Sequence, residues 1–290
     1  MFKVVGVVGA GTMGRSIAEM LAVKGLDVHL VEKTPEKLRQ AVIMIEASLD
    51  RQMERWAITA AEKKLTLNRI HTETSLQHLA DCELIIETIS EDLDEKKDVF
   101  RQLDDIVAAD AVLASNTSTL SLTELAGASS RPERVIGMHF VYPAFRIDVV
   151  EIIRGLHTSD DTFGRTKTFI EDVLTKKGVM VYESPGFVTT RLVCLLINEA
   201  LHLLEEGVAS PEDIDSAMSI GYQFEYGPLE MADRFGLDSV LAALERMFRE
   251  FGELKYRPSF LLKKKVRAGQ LGIKTGVGFF KYGKDGERLP

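Results

Sequence analysis

The chain opens on an apolar strand that runs straight into a glycine turn, Val4-Val5-Gly6-Val7-Val8-Gly9-Ala10-Gly11-Thr12-Met13-Gly14. Gly9 permits a tight turn, Gly11 lets the backbone come close to a pyrophosphate, and Gly14 lets the following helix pack onto its strand. The N-terminus of that helix, around Thr12 and Met13, then faces the phosphates. The next apolar run, Val28-His29-Leu30-Val31, ends on Glu32. A carboxylate there can accept both ribose hydroxyls of NAD and repels the 2′-phosphate of NADP. A glycine turn alone is a weak sign. One that follows a strand, starts a helix and has an acid at the right distance predicts dinucleotide binding.

A chain of 290 residues has room for one large domain or two ordinary ones around a buried core. Its 45% hydrophobic and 28% charged residues describe an ordinary globular protein. Cys82 and Cys194 are too few for a disulfide framework, and their apolar surroundings predict buried, reduced thiols in a cytoplasmic protein. The N-terminal residues already form the nucleotide-binding strand, so no signal peptide is expected. The longest apolar stretch, Leu192 to Leu204, carries Asn198, Glu199 and His202, which excludes a membrane span. A net charge of −8 argues against a nucleic-acid partner and means that an anionic substrate must meet a local basic patch. No metal is expected.

Strand-like runs alternate with helical ones through the first two thirds of the chain. Strands read at Val4–Val8, Val28–Glu32, Leu84–Glu87, Ala111–Ser115, Val135–Phe140, Val149–Ile153 and Val179–Tyr182. Helices read at Met13–Lys24, Glu36–Arg55, Glu91–Ala108 and Thr162–Thr175, and Ser121-Leu122-Thr123-Glu124 has the form of a capping box. This alternation predicts a Rossmann-like, mainly parallel sheet with helices on both faces. About fifty residues separate the second strand from the third, far more than a simple crossover needs. They read as two helices, the second over Ala60–Asn68, and so as a helical hairpin inserted into the sheet. Arg51 and Arg55 lie four apart on its first helix and share a face. With Asp50 and Glu54 beside them they fit a solvated charged face as well as an anion site.

Pro185-Gly186 ends the alternation. Helices then follow at Val188–Glu206, closed by Gly207, after Ser210-Pro211-Glu212-Asp213, and at Leu229–Phe235, Asp238–Phe251 and Ser259–Ala268. The expected organisation is an α/β domain over 1–184 and an all-α domain over 185–290. The first helix of the second domain is apolar on most faces and needs a partner surface.

Three segments carry candidate chemistry. Ser115-Asn116-Thr117-Ser118 leaves the end of the fourth strand, the edge at which open α/β sheets bind ligands. His139 stands at the end of the buried run Gly137-Met138-His139-Phe140. Val149-Val150-Glu151-Ile152-Ile153 places one carboxylate in an apolar strand, where it needs a partner. Antiparallel pairing across the turn around Pro143 would bring Glu151 to His139. The carboxylate would then fix the imidazole tautomer and stabilise the protonated ring, which suits a base that takes a hydroxyl proton.

The chain resembles the short-chain L-3-hydroxyacyl-CoA dehydrogenases, including bacterial 3-hydroxybutyryl-CoA dehydrogenases. The resemblance runs through the glycine turn, Ser115–Ser118, Arg134–Phe140 and Val150–Ile153. It continues through Ser184–Phe187, Glu212–Met218, Gly227–Leu229 and Lys274-Thr275-Gly276-Val277-Gly278-Phe279. It implies His139 as general base, Glu151 as its partner and Ser118 as the hydroxyl on the substrate's 3-oxygen. It also implies Glu91, Lys96, Asn116 and Lys274 as NAD contacts, and Arg51 and Arg55 as contacts to the CoA end of an acyl-CoA thioester. A homodimer built through the helical domain is implied as well. Two positions depart from the family pattern. His139-Phe140-Val141-Tyr142-Pro143 and Pro185-Gly186-Phe187-Val188-Thr189-Thr190-Arg191 each lack an asparagine that the family carries, so Thr190 stands at a substrate-contact position with fewer donors than an amide. The implied activity is NAD-dependent oxidation of a short 3-hydroxyacyl-CoA or the reverse reduction. The alternatives are a specialised or carrier-protein-bound acyl group, or a catalytically weakened NAD-binding protein.

Overall fold

The computed structural model describes residues 2–283 and 285–289, and divides into two compact units between Glu183 and Ser184. The first unit contains strands β1 (Val4–Val8), β2 (Asp27–Val31), β3 (Ile70–Glu73), β4 (Leu84–Glu87), β5 (Val112–Ser115), β6 (Val135–Phe140), β7 (Val149–Arg154) and β8 (Lys177–Tyr182). Its helices are α1 (Thr12–Val23), α2 (Pro35–Glu54), α3 (Ala60–Asn68), α4 (Leu93–Ile106), α5 (Leu122–Ala126) and α6 (Asp160–Thr168). The strands form one sheet in the order β3-β2-β1-β4-β5-β6-β7-β8, and every neighbouring pair is parallel except β6 with β7. The chain winds outward through β2 and β3, then returns to β4 beside β1. That reversal makes β1 and β4 the switch point, and ligands bind such a sheet at the C-terminal ends of its strands.

Alternate strand residues build the core. Val7, Leu30, Ile86, Ala114, Met138 and Ile152 are buried together under Ile17 and Leu21 of α1 and Ile45 and Leu49 of α2. The opposite positions, such as Ile85, Leu113 and Val135, are buried too. Both faces are therefore covered, as parallel sheets require.

The inserted segment differs from the expected hairpin. It holds the two helices, but after α3 the chain re-enters the sheet as β3, paired in parallel with β2 from Val28↔Ile70 to Val31↔Glu73. Thr59 and Glu62 start α3 with a complete, reciprocal capping box. The expected box at Ser121 is only half formed. Ser121 Oγ accepts from Glu124 N, but the Glu124 carboxylate pairs with Lys97 and Ser121 donates to Glu183. The helix Thr162–Thr175 is also modified, since α6 stops at Thr168 and a π-helical turn carries the chain through Phe169–Val173.

The end of α2 has an unusual residue. Trp56 N–H donates to Met53 O and Ala57 N–H to Gln52 O, the two bonds of a Schellman cap. The residue after the cap is normally glycine, because it lies in the left-handed region. Here it is Trp56, at φ 57°, a conformation that costs a non-glycine residue about 1–2 kcal/mol.

The second unit consists of α7 (Thr189–Glu205), α8 (Pro211–Gly221), α9 (Pro228–Phe235), α10 (Leu237–Phe251) and α11 (Phe260–Arg267), followed by a segment held by isolated β-bridges. Ile197, Leu201, Leu229, Leu244, Met247 and Leu262 fill its core. Two buried aspartates organise it. Asp215 accepts Leu229 N and Glu230 N, so it caps α9, while Asp233 accepts Phe279 N, Phe280 N and the Tyr282 hydroxyl. A Cβ on Gly278 would stand 1.8 Å from Asp233 Oδ1, which explains the glycine in Gly276-Val277-Gly278 as a close approach. Arg191 lies over the rings of Phe251 and Tyr256, at 4.6 and 5.5 Å from their centroids.

Candidate active site

The C-terminal ends of β1, β2, β4, β5 and β6 share one edge of the sheet. After β1, Gly9 has φ +100°, and a Cβ on Gly14 would lie 1.8 Å from Gly9 O, so α1 can follow the turn this closely only without a side chain there. A Cβ on Gly11 would meet nothing within 4 Å, which leaves a cradle beside the N-terminus of α1. No side chain caps that N-terminus, so the first-turn N–H groups around Thr12, Met13 and Gly14 stay available to an anion. Glu32 lies one residue past β2, and its carboxylate accepts Ala10 N at 3.3 Å and Thr34 N at 3.1 Å. The glycine turn and the acid thus share one hydrogen-bonded unit that fits the pyrophosphate and ribose of a dinucleotide.

Across β4, Glu91 gathers the segment after β5. Its Oε1 accepts from the Thr117 hydroxyl at 2.6 Å, from Ser118 N at 3.0 Å and Ser118 Oγ at 3.3 Å, and from Thr119 N and Oγ1, each at 3.1 Å. Glu91 can reach them because α4 does not begin there. Asp92 is the cap, accepting Glu95 N at 2.9 Å, and Glu91 remains in the loop before it. Partial burial acts to raise the Glu91 pKa, but Lys96 and the bonds from Thr117, Ser118 and Thr119 outweigh it and hold the carboxyl below its usual range.

Lys96 itself is 1% exposed. Its ammonium bonds to Glu87 Oε1 at 2.5 Å and lies 3.6 Å from Glu91 Oε2. Glu87, the last residue of β4, is fully buried and also accepts Ile89 N at 2.7 Å and the Ser115 hydroxyl at 2.7 Å. Burial pushes its carboxyl above the usual range, offset in part by Lys96, Ser115 and Ile89. In the sequence Glu87 is legible only as the end of a strand. Its signal was a carboxylate closing an otherwise apolar strand nine residues before a lysine.

The antiparallel step sets the last pair. In the β6–β7 register His139 stands opposite Glu151, and both side chains share the face that carries Val135 and Ile153. His139 Nδ1 meets Glu151 Oε2 at 2.6 Å, with the carboxylate side chain 1% exposed. Asn116 ties the neighbouring strand end to this one, since its Oδ1 accepts Phe140 N at 2.9 Å. The turn after β6 is anchored from below where the Ser16 hydroxyl of α1 accepts Ala144 N at 3.0 Å.

Four further positions from the sequence analysis make none of these hydrogen bonds. Arg51 sits in the last turn of α2 and Arg55 just beyond its end, both exposed, with Arg51 contributing to the electrostatics of buried Glu19. Thr190 lies in the first turn of α7, half-buried, and Lys274 is half-exposed and pairs with Asp238; both belong to the second unit. The described residues contain no group of three or more His, Cys, Asp or Glu placed to hold a metal ion, and no helix long and apolar enough to cross a membrane.

A glycine turn at a helix N-terminus, an acid after the second strand and a carboxylate-held histidine on the same sheet edge define the class: a dinucleotide-dependent dehydrogenase. The comparisons narrow the class to a family. The 3-hydroxyacyl-CoA dehydrogenase NAD-binding domain matches residues 4–184, and the 3-hydroxyacyl-CoA dehydrogenase C-terminal domain matches 186–282. The chain is 45% identical over 277 residues to a probable 3-hydroxybutyryl-CoA dehydrogenase of Deinococcus radiodurans, covering 96% of this chain and 99% of that one. The crystal structure of (S)-3-hydroxybutyryl-CoA dehydrogenase from Ralstonia eutropha is 43% identical, with a TM-score of 0.90 over 98% of this chain and 100% of that one. That of FadB2 from M. tuberculosis is 38% identical, with a TM-score of 0.95 over 97% and 99%. The chain belongs to the 3-hydroxyacyl-CoA dehydrogenase family.

Glu32 gives a direct test of cofactor choice. The unmodified protein should strongly prefer NAD to NADP in kcat/KM. Glu32→Ser should weaken NAD by about tenfold or more, the worth of hydrogen bonds to a charged group, and narrow the gap to NADP. Equal use of both cofactors by the unmodified protein would remove this role.

Proposed function

We propose that this protein catalyses the NAD-dependent oxidation of the 3-hydroxyl of a short-chain 3-hydroxyacyl-CoA, or the reverse reduction. The carrying observation is the His139–Glu151 pair, at 2.6 Å, on the sheet edge that also holds the glycine turn. His139 Nε2, the ring nitrogen facing away from Glu151, takes the hydroxyl proton. Glu151 holds the tautomer that presents this nitrogen and stabilises the imidazolium that forms. Ser118, whose N–H is held by Glu91, turns its hydroxyl away from that carboxylate to donate a hydrogen bond to the 3-oxygen. When bound, NAD supplies the hydride acceptor, with Gly9, Gly11, Thr12, Met13, Gly14 and Glu32 holding its phosphates and ribose. Glu91, Asn116 and Lys274 complete this reading as cofactor contacts, and Lys96 contributes through Glu91.

Arg51 and Arg55 meet the CoA phosphates in this reading, and residues 185–290 serve substrate binding and a homodimer. The exposed apolar side chains Leu192, Ile220 and Tyr222, at 63, 81 and 72% exposure, favour the dimer. The buried Cys82 and Cys194 thiols, both pushed up to about 12 by burial, suit a reducing compartment such as the cytoplasm. Thr190 and Tyr142 favour one variation, an acyl group other than hydroxybutyryl, because two donors are changed around an otherwise complete site.

The test is a panel of 3-hydroxyacyl-CoA thioesters of different length and branching, followed by NADH absorbance. Turnover should appear with at least one short thioester. It should fall for Arg51→Ala/Arg55→Ala through a raised KM, with kcat largely kept, while a pantetheine thioester without the nucleotide is unaffected. No turnover on any thioester would overturn the assignment.

A further inference from the structure

The indole of Trp56 has no function within the fold. It is 94% exposed, and among the described residues it makes no hydrogen bond, ring contact or cation–π contact. The Schellman bonds it closes run through backbone atoms alone, so a glycine would make them equally well and without the left-handed strain at φ 57°. A large ring held in an unfavourable backbone conformation, in water, points to a ligand rather than to packing. Its surroundings show which ligand. Arg55 precedes it and Arg51 lies one turn back, both exposed and neither within ion-pair distance of a carboxylate among the described residues. One flat apolar surface beside two available guanidinium groups matches a purine that carries phosphates.

We propose that Trp56 is the stacking platform for the adenine of the CoA nucleotide, with Arg51 and Arg55 taking its 3′-phosphate and pyrophosphate. The inference rests on the acyl-CoA reading above and adds to it a residue that selects the nucleotide end of the substrate. Stacking needs an accessible ring face, which the exposure provides, and tolerates an open site, because the base can remain wet on its outer face.

The chain has one tryptophan, so its fluorescence reports on this place alone. With the protein already saturated with NAD, titration with CoA and with adenosine 3′,5′-bisphosphate should quench the emission, and pantetheine should leave it unchanged. Trp56→Gly should raise KM for the preferred 3-hydroxyacyl-CoA about tenfold, the scale of one base–aromatic stack, while kcat changes by less than about twofold. KM for the matching pantetheine thioester should stay constant. Tm should rise rather than fall, because the strain is relieved, and Trp56→Phe should recover most of the lost KM. An unchanged KM in Trp56→Gly, with full turnover retained, would overturn the platform and leave the dehydrogenase reading intact. An equal rise in KM for the CoA and pantetheine thioesters would also overturn it, because the residue would then act through the fold. Quenching by pantetheine would do the same.

Discussion

Replacing His139 with alanine should lower kcat by about 10³-fold, within the range that a positioned general base contributes, while NAD binding stays near that of the unmodified protein. The separation follows from position. His139 is the penultimate residue of β6, which is separated from β1 and its glycine turn by β4 and β5, and nothing places it among the groups that would hold phosphates. Glu151→Gln tests its partner. The amide keeps the size of the carboxylate but not its charge, so the imidazolium loses its counter-ion at the moment it forms. The amide can also present its NH2 to Nδ1 and favour the wrong tautomer. Turnover should drop by about 10²-fold or more. A Glu151→Gln variant with the turnover of the unmodified protein would show that the 2.6 Å contact carries no catalytic weight.

What could be read in advance follows from how local each feature is. The His139–Glu151 pair is twelve residues apart across a short connection, so strand alternation and the cost of an unpartnered buried carboxylate were enough to suggest it. The glycine turn was legible because its glycines are contiguous with the strand before them and the helix after them, although Gly9 also abuts the backbone of Thr88 and Ile89. Strand β3 was not. Ile70-His71-Thr72-Glu73 is four residues long, polar at all but Ile70, and made a strand only by parallel pairing with β2 some forty residues earlier, and no local signal encodes that pairing. The start of α4 was misplaced because Glu91, Asp92, Asp94 and Glu95 all suit a helix N-terminus, and which one caps depends on where the others are drawn. Glu91 is drawn away by Thr117, Ser118 and Thr119, twenty-six to twenty-eight residues later. Ser121 failed as a full capping box for a similar reason, because the Glu124 carboxylate that would complete it is drawn to Lys97, twenty-seven residues earlier.

The same non-local chain, Glu87–Lys96–Glu91, supports the second large expected effect. Lys96→Met should destabilise the first unit by about 3–5 kcal/mol, because it leaves the fully buried Glu87 without its counter-charge. The sign of the pH dependence is fixed. Glu87 already has a raised folded-state pKa, with burial as the main cause, and losing Lys96 raises it further. The folded variant then holds a proton that an unfolded glutamate releases above about pH 4.3, so its stability falls as pH rises from there towards the raised folded value. Denaturant unfolding at two pH values should therefore show a smaller deficit at about pH 5 than at about pH 8. Glu87→Gln added to Lys96→Met should recover most of the stability, since a neutral pair is far cheaper to bury. It should not recover kcat. Glu91 would still lack the cation 3.6 Å from its carboxylate, and Ser118 takes its position from that carboxylate. A Lys96→Met protein that loses NAD affinity but keeps its stability would overturn this account, because the ammonium would then serve the cofactor directly rather than the carboxylates it is buried between.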